Sequence, residues 1–116
     1  MLKYDALLNC IERIEKITTE IHLLLIKGES MDYSDIMAIN NLYFERKSVL
    51  SEFEQFALTD EGKNILNQNS AIINNFIIKL QENDKNNIVL LKNKIQSLAN
   101  KLKELNINKS LMIYQK

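Results

Sequence analysis

The stretch Ile73–Leu105, INNFIIKLQENDKNNIVLLKNKIQSLANKLKEL, decides the fold. Ile73, Ile77, Leu80, Asp84, Ile88, Leu91, Ile95, Leu98, Leu102 and Leu105 recur at steps of three and four, with one extra four-residue step at Asp84. That period puts one apolar stripe along a helix. The polar patch Gln81–Asn87 holds neither Gly nor Pro, so nothing in it stops a helix. One continuous helix of about 40 residues is predicted, ~60 Å long at 1.5 Å per residue. After Asn106 the rhythm restarts with Ile107, Leu111 and Tyr114, which predicts a short amphipathic helix that folds back.

Two shorter helices are predicted upstream. Leu7, Ile11, Ile14, Thr18, Ile21 and Leu25 make one stripe within Leu2–Lys27, and Leu8, Ile17 and Leu24 widen it. Gly28 is placed to take the left-handed position that ends a helix, and Ser30 or Asp32 to cap the next one. That second helix runs to about Leu58. Ile36, Ile39, Tyr43, Leu50, Phe53 and Ala57 form its stripe, and Leu42, Val49 and Phe56 a neighbouring one. Stripes this wide are buried on two sides, as in a bundle. Thr59–Gly62 is the second break, with Thr59 or Asp60 as cap. The predicted fold is all-α: an antiparallel bundle of three long helices plus a short C-terminal helix, with residues 1–116 in a single domain.

Two polar residues interrupt the stripes. Arg46 occupies the slot between Tyr43 and Leu50, and Asp84 sits within the long helix's apolar register. Asp84 is either a solvated break in the stripe or the buried partner of a cation, and Arg46 is the natural cation.

Composition excludes most chemistry. Cys10 is the one cysteine and His22 the one histidine, so neither a disulfide nor a metal site is expected. Cys10 reads as a small buried hydrophobe, and His22 as an exposed or half-buried helical residue. With two glycines, no glycine-rich loop exists to cradle phosphate. No second titratable group is nominated beside Asp84 to move a proton. No enzyme activity and no cofactor are expected. The first residues lack the layout of a signal peptide and no apolar run reaches the ~18 to 20 residues of a membrane span, so a cytoplasmic chain without a membrane anchor is expected.

The net charge is zero but unevenly placed. Residues 1–62 hold 12 acidic and 6 basic residues, and residues 63–116 hold 3 acidic and 9 basic. Acidic and basic helices packing side by side account for this; a basic tail for an acidic partner is the other reading. A nucleic-acid surface favours Arg and interleaved aromatics, and the basic residues here are all Lys, so no nucleic-acid partner is expected.

Asp84, Ile88, Leu91, Leu98, Leu102 and Leu105, then Asn108-Lys109-Ser110-Leu111 and Tyr114, resemble the C-terminal half of FliT-type flagellar export chaperones. Asp32-Tyr33-Ser34-Asp35-Ile36 and Arg46 with Val49-Leu50 and Phe53 are similar to that family's upstream pattern, with Tyr33 where the family often has Trp. The resemblance implies a cytoplasmic chaperone of bacterial flagellum assembly and type III protein export. Such a protein binds the C-terminal helical segment of a filament-cap subunit, prevents premature assembly and delivers it to the export apparatus, whose gate or ATPase components are further partners. The sister chaperones that serve the hook–filament junction proteins, of FlgN type, are the nearest alternative. A non-flagellar adaptor, homodimeric along the long helix as a coiled coil, is the other; monomer and homodimer both remain open. An amphipathic client helix needs an apolar groove. Ile107, Leu111 and Tyr114 are therefore expected to gate a groove lined by Ile95, Leu98 and Leu102, so that truncation after Asn106 strengthens binding. The alternative is that this last segment is ordinary core.

Overall fold

The computed structural model describes the backbone of residues 2–114 and the side chains of residues 4–107. Four α-helices follow one another: α1 (Leu2–Leu25), α2 (Tyr33–Leu58), α3 (Asp60–Gln68) and α4 (Ser70–Tyr114). Among the described residues there is no strand. The all-α class is as the periodicity predicts. The arrangement differs in two places, because the short helix is α3, in the middle of the chain, and the segment from Ile107 onward extends α4.

The core is built on α1. Leu7, Ile11, Ile14, Ile17, Ile21 and Leu25 are buried, each stabilising the fold by about 1.5–3 kcal/mol relative to exposure. Thr18 sits in the same stripe because its hydroxyl donates to the Ile14 carbonyl at 2.8 Å, which satisfies it without water. From α2 come Ile39 and Val49, from α4 Ile73 and Phe76, and Met31 plugs the end of the hairpin.

The α1–α2 connection obeys its local chemistry. Gly28 has φ +55°, a left-handed conformation that costs an L side chain about 1–2 kcal/mol. A short 3-10 turn, Gly28–Ser30, follows. Asp32 then caps α2: its carboxylate accepts from the Asp35 amide at 2.9 Å, and the Asp35 carboxylate accepts from the Asp32 amide at 3.1 Å. This capping box satisfies two amides that a helix start leaves unpaired.

At the next joint Thr59 Oγ1 accepts from the Gly62 amide at 3.0 Å and donates to the Phe56 carbonyl at 2.7 Å. The chain folds so tightly there that a Cβ on Gly62 would lie 1.8 Å from the Phe56 carbonyl oxygen.

The break at Asn69 was not anticipated, since the third helix was expected to run unbroken. The Asn69 side-chain amide donates to the Ile65 carbonyl at 2.8 Å. An asparagine that bonds its own helix's backbone offers an alternative to helical continuation, and here Asn69 leaves the helical conformation and separates α3 from α4 without Gly or Pro. The polar patch Gln81–Asn87, in contrast, is continuous helix.

α1 and α2 are antiparallel, and α4 runs beside α1 in the same direction, from α1's start past its end. At 45 residues, α4 is ~67 Å long, against ~36 Å for α1 and ~39 Å for α2. The molecule measures 74 × 20 × 20 Å, with a radius of gyration of 20.4 Å. A compact chain of this length has ~13 Å. The accessible surface, 8713 Å², exceeds by about a third the ~6,500 Å² of a compact protein of this mass.

Candidate functional site

The residues that hold α4 to the hairpin change character along its length. At its start the contact is apolar, through Ile73 and Phe76. From Asp84 onward polar contacts join it, beside Leu90 and Leu91, which still pack against the core. Asn87 is 1% exposed, its side-chain oxygen accepting from His22 Nδ1 at 2.9 Å. One heptad on, Lys94 is buried and its ammonium donates to the carbonyls of Gly28 at 3.2 Å and Met31 at 3.3 Å. These carbonyls close α1 and its turn, where a cation is favoured. Ser97 Oγ then donates to Glu29 Oε1 at 2.6 Å, and Lys101 Nζ to Glu29 Oε2 at 2.9 Å. The Ser97 hydrogen bond and then the Lys101 ammonium hold the Glu29 carboxyl below its ordinary value.

One residue along a helix is a rotation of about 100°. Asn87 and Lys94 face the bundle, so Ile88 and Ile95, each one position later, are turned away from it. Both are exposed, as are Leu98, Leu102, Leu105 and Ile107. Leu91 is half-buried at the edge. The apolar stripe of the long helix is thus rotated out of the interface. Beyond Lys101 no hydrogen bond or ion pair among the described residues ties α4 to the hairpin, and Leu102 and Leu105 are 62% and 63% exposed.

Of the residues singled out from the sequence, Ile95, Leu98, Leu102 and Ile107 therefore lie on an open helix, with Ile107 on another side of it from Ile95 and Leu102. The fold-back gate is not formed. α4 continues through Ile107 to Tyr114 in one helix, so Ile107 cannot return over Ile95. No glycine or proline interrupts that region to allow a reversal. The side chains of Leu111 and Tyr114 lie outside the described residues.

Arg46 and Asp84 do meet. Arg46 Nη1 donates to Asp84 Oδ1 at 2.8 Å and Nη2 to Oδ2 at 2.6 Å, a two-pronged pair of the geometry a guanidinium favours. It ties α2 to α4 at the level where polar contacts begin to join α4's apolar ones with the bundle. Tyr43 stands beside it. Burial pushes its phenol above the ordinary value, with Arg46 opposing and Asp84 adding to the rise.

Lys94, Asn87 and Glu29 were not found from the sequence. The one signal was that Asn87 and Lys94 share the helix side one residue before Ile88 and Ile95, and in a chain rich in Asn and Lys that marks nothing.

Other features carry less. A polar cleft of about 200 Å³ is lined by Thr18, Thr19, His22, Asn83, Asn86 and Asn87. It offers hydroxyls and amides, with His22 the one titratable group. Cys10 is half-buried, and burial first, then Glu52, pushes its thiol above the ordinary value, away from a reactive thiolate. Among the described residues no three His, Cys, Asp or Glu side chains converge as a metal site would need, and no helix is long and apolar enough to cross a membrane. Tyr33, Met37 and Phe44 form a second exposed apolar stripe on α2.

Comparison with family models, with curated proteins and with solved structures finds no match to this chain.

Proposed function

We propose that this chain is a non-enzymatic, cytoplasmic export chaperone of FliT type, which holds the C-terminal helical segment of a filament-cap-type flagellar subunit until export. The single observation that supports the reading is the open stripe of α4. Ile88, Leu91, Ile95, Leu98, Leu102 and Leu105 keep the three-four spacing over ~26 Å of helix, and all but the half-buried Leu91 are exposed. An amphipathic helix laid along them buries its own apolar face. The identity of the client rests on the resemblance of the Asp84–Tyr114 region to that family. Because α4 is extended, the binding face needs no opening step, and truncation after Asn106 is expected to weaken client binding or leave it unchanged.

The test is capture of the client. The tagged full chain is incubated with the source organism's cytoplasm and with purified filament-cap and junction subunits, and bound chains are identified by mass. Retention of the cap subunit, lost in Ile95→Asp and Leu98→Asp variants that still fold, supports the proposal. Retention of junction proteins instead assigns the sister role. Binding of neither overturns the flagellar reading.

A further inference from the structure

The two edges of the α4 stripe differ in charge and in what covers them. The edge one residue before each stripe position from Ile88 on carries Asn87, Leu90, Lys94, Ser97, Lys101 and Glu104, of which Asn87 is engaged with His22, Lys94 with the Gly28 and Met31 carbonyls, and Ser97 and Lys101 with Glu29. The opposite edge, one residue after, carries Lys85, Val89, Lys92, Gln96, Ala99 and Lys103. All six are exposed. Three are lysines, none is acidic, and among the described residues none of these lysines makes a salt bridge. Of the nearby carboxylates, Glu82 stands three residues before Lys85 on the side of Val89, Gln96 and Lys103 and offsets one charge at the start of this edge, while Glu104, one residue before Leu105, lies on the other edge; the edge keeps a positive balance.

Resting on the reading of this face as a helix-binding surface, we propose that its occupant is a single amphipathic helix of another protein whose apolar seam is flanked by acidic residues. Residues flanking such a seam choose partner and orientation. A second copy of this chain fits poorly. Antiparallel pairing sets the two lysine edges side by side, where like charges repel. Parallel pairing sets each lysine edge against the partner's other edge, which that partner's own α1 and Gly28–Ser30 turn occupy. An acidic-flanked helix meets Lys85, Lys92 and Lys103 with opposite charge along the free edge, and its apolar positions cover Ile88, Ile95 and Leu102.

The test uses two designed helical peptides about four heptads long, identical in their Ile and Leu seam. One carries Glu at all flanking positions and the other Lys. Each is labelled and titrated with the full chain by fluorescence anisotropy at low and high salt. The acidic probe is expected to bind, weakening as salt rises, and the basic probe to bind at least about tenfold more weakly, the combined effect of three exposed charge pairs. A Lys85→Glu/Lys92→Glu/Lys103→Glu variant, its helix content checked by circular dichroism, is expected to reverse the preference. Equal binding of both probes overturns the proposal, as does binding of neither. So does a dimer of the chain alone that Leu98→Asp dissociates. If the acidic probe binds with this pattern and no flagellar subunit does, the flagellar reading falls and this one stands. If the cap subunit binds equally well to the triple glutamate variant, the reverse holds.

Discussion

Removal of the Asp84 carboxylate asks what holds α2 to α4. In Asp84→Ala the Arg46 guanidinium, 8% exposed, loses both of its hydrogen bonds and its counter-charge. Breaking a fully buried pair this way costs about 3–5 kcal/mol, most of it the uncompensated charge left behind. The Asp84 side chain is 32% exposed, so water reaches the site and the expected cost falls to about 2–3 kcal/mol. At ~2.1 cal/mol/K of unfolding entropy per residue this lowers the midpoint by roughly 8–12 °C. The double variant Arg46→Met/Asp84→Leu behaves differently. It removes the charge together with its partner, and it also removes the Arg46 Nε group, which is buried without a hydrogen-bond partner. Its stability is expected within about 1 kcal/mol of the parent. Urea unfolding followed by circular dichroism, with both single variants completing a double-mutant cycle, measures all of this. A loss below about 0.5 kcal/mol for Asp84→Ala, in the range of an exposed surface pair, would refute the reasoning. A double variant no more stable than the single one would also refute it.

Gly62→Ala places its Cβ 1.8 Å from the Phe56 carbonyl oxygen, a backbone atom that cannot swing aside; a loss of more than about 2 kcal/mol is expected by urea unfolding, above the usual range for a surface substitution. Acid should loosen the turn end of the bundle. Hydrogen bonds from Ser97 and Lys101 depress the Glu29 carboxyl, and the Lys27 hydrogen bond, then the Asp32 amide, depress that of Asp35. A depressed carboxylate stabilises the fold fully above its ordinary value, here 4.5 and 3.8, and loses that contribution as pH falls through the folded value. Hydrogen-exchange protection across residues 26–35, taken relative to the intrinsic exchange rate at each pH, should therefore fall below those values, and unchanged protection would contradict the assignment. Leu102→Ser touches an exposed side chain, so its unfolding midpoint should match the parent's within about 0.5 kcal/mol. Affinity for a bound helix should fall at the same time; a large loss of stability would mean Leu102 is core.

Helix periods, caps and the Gly28 and Thr59 joints were legible because each rests on local chemistry that a few neighbouring residues determine. The pairing of Arg46 with Asp84 was legible for a related reason, as each is the polar member of an otherwise apolar stripe, and a buried charge needs its opposite. What was not legible is relational. A stripe on a helix states that it is apolar, not which neighbour it faces. The fold-back of Ile107–Tyr114 was inferred from a need to cover the stripe's end, but the chain has no glycine or proline there to make the reversal, and α4 simply runs on. The Asn69 break hid in the uncharged run Asn64–Ile78, where one asparagine out of several uses its side chain to cap.

The second half of α4 ties the stability of the molecule to its proposed work. If Ile88 and Ile95 faced α1, the stripe would be core and no binding face would remain. Instead the bundle takes Asn87 and Lys94, and their desolvation is offset by partners placed for them: His22, the carbonyls of Gly28 and Met31, and around them the Glu29–Ser97–Lys101 cluster. A net hydrogen bond contributes about 1 kcal/mol, much less than a buried isoleucine, while an unpaired buried polar group costs about 1–3 kcal/mol. The polar contact therefore contributes little net stability, but it fixes rotation. Turning α4 by the one residue that would bury Ile88 and Ile95 would strand Asn87 and Lys94 from every partner they have. The apolar stripe is kept outward by the cost of unpairing the polar residues next to it, which is how a helix can stay rigidly docked and still present its apolar side to a partner.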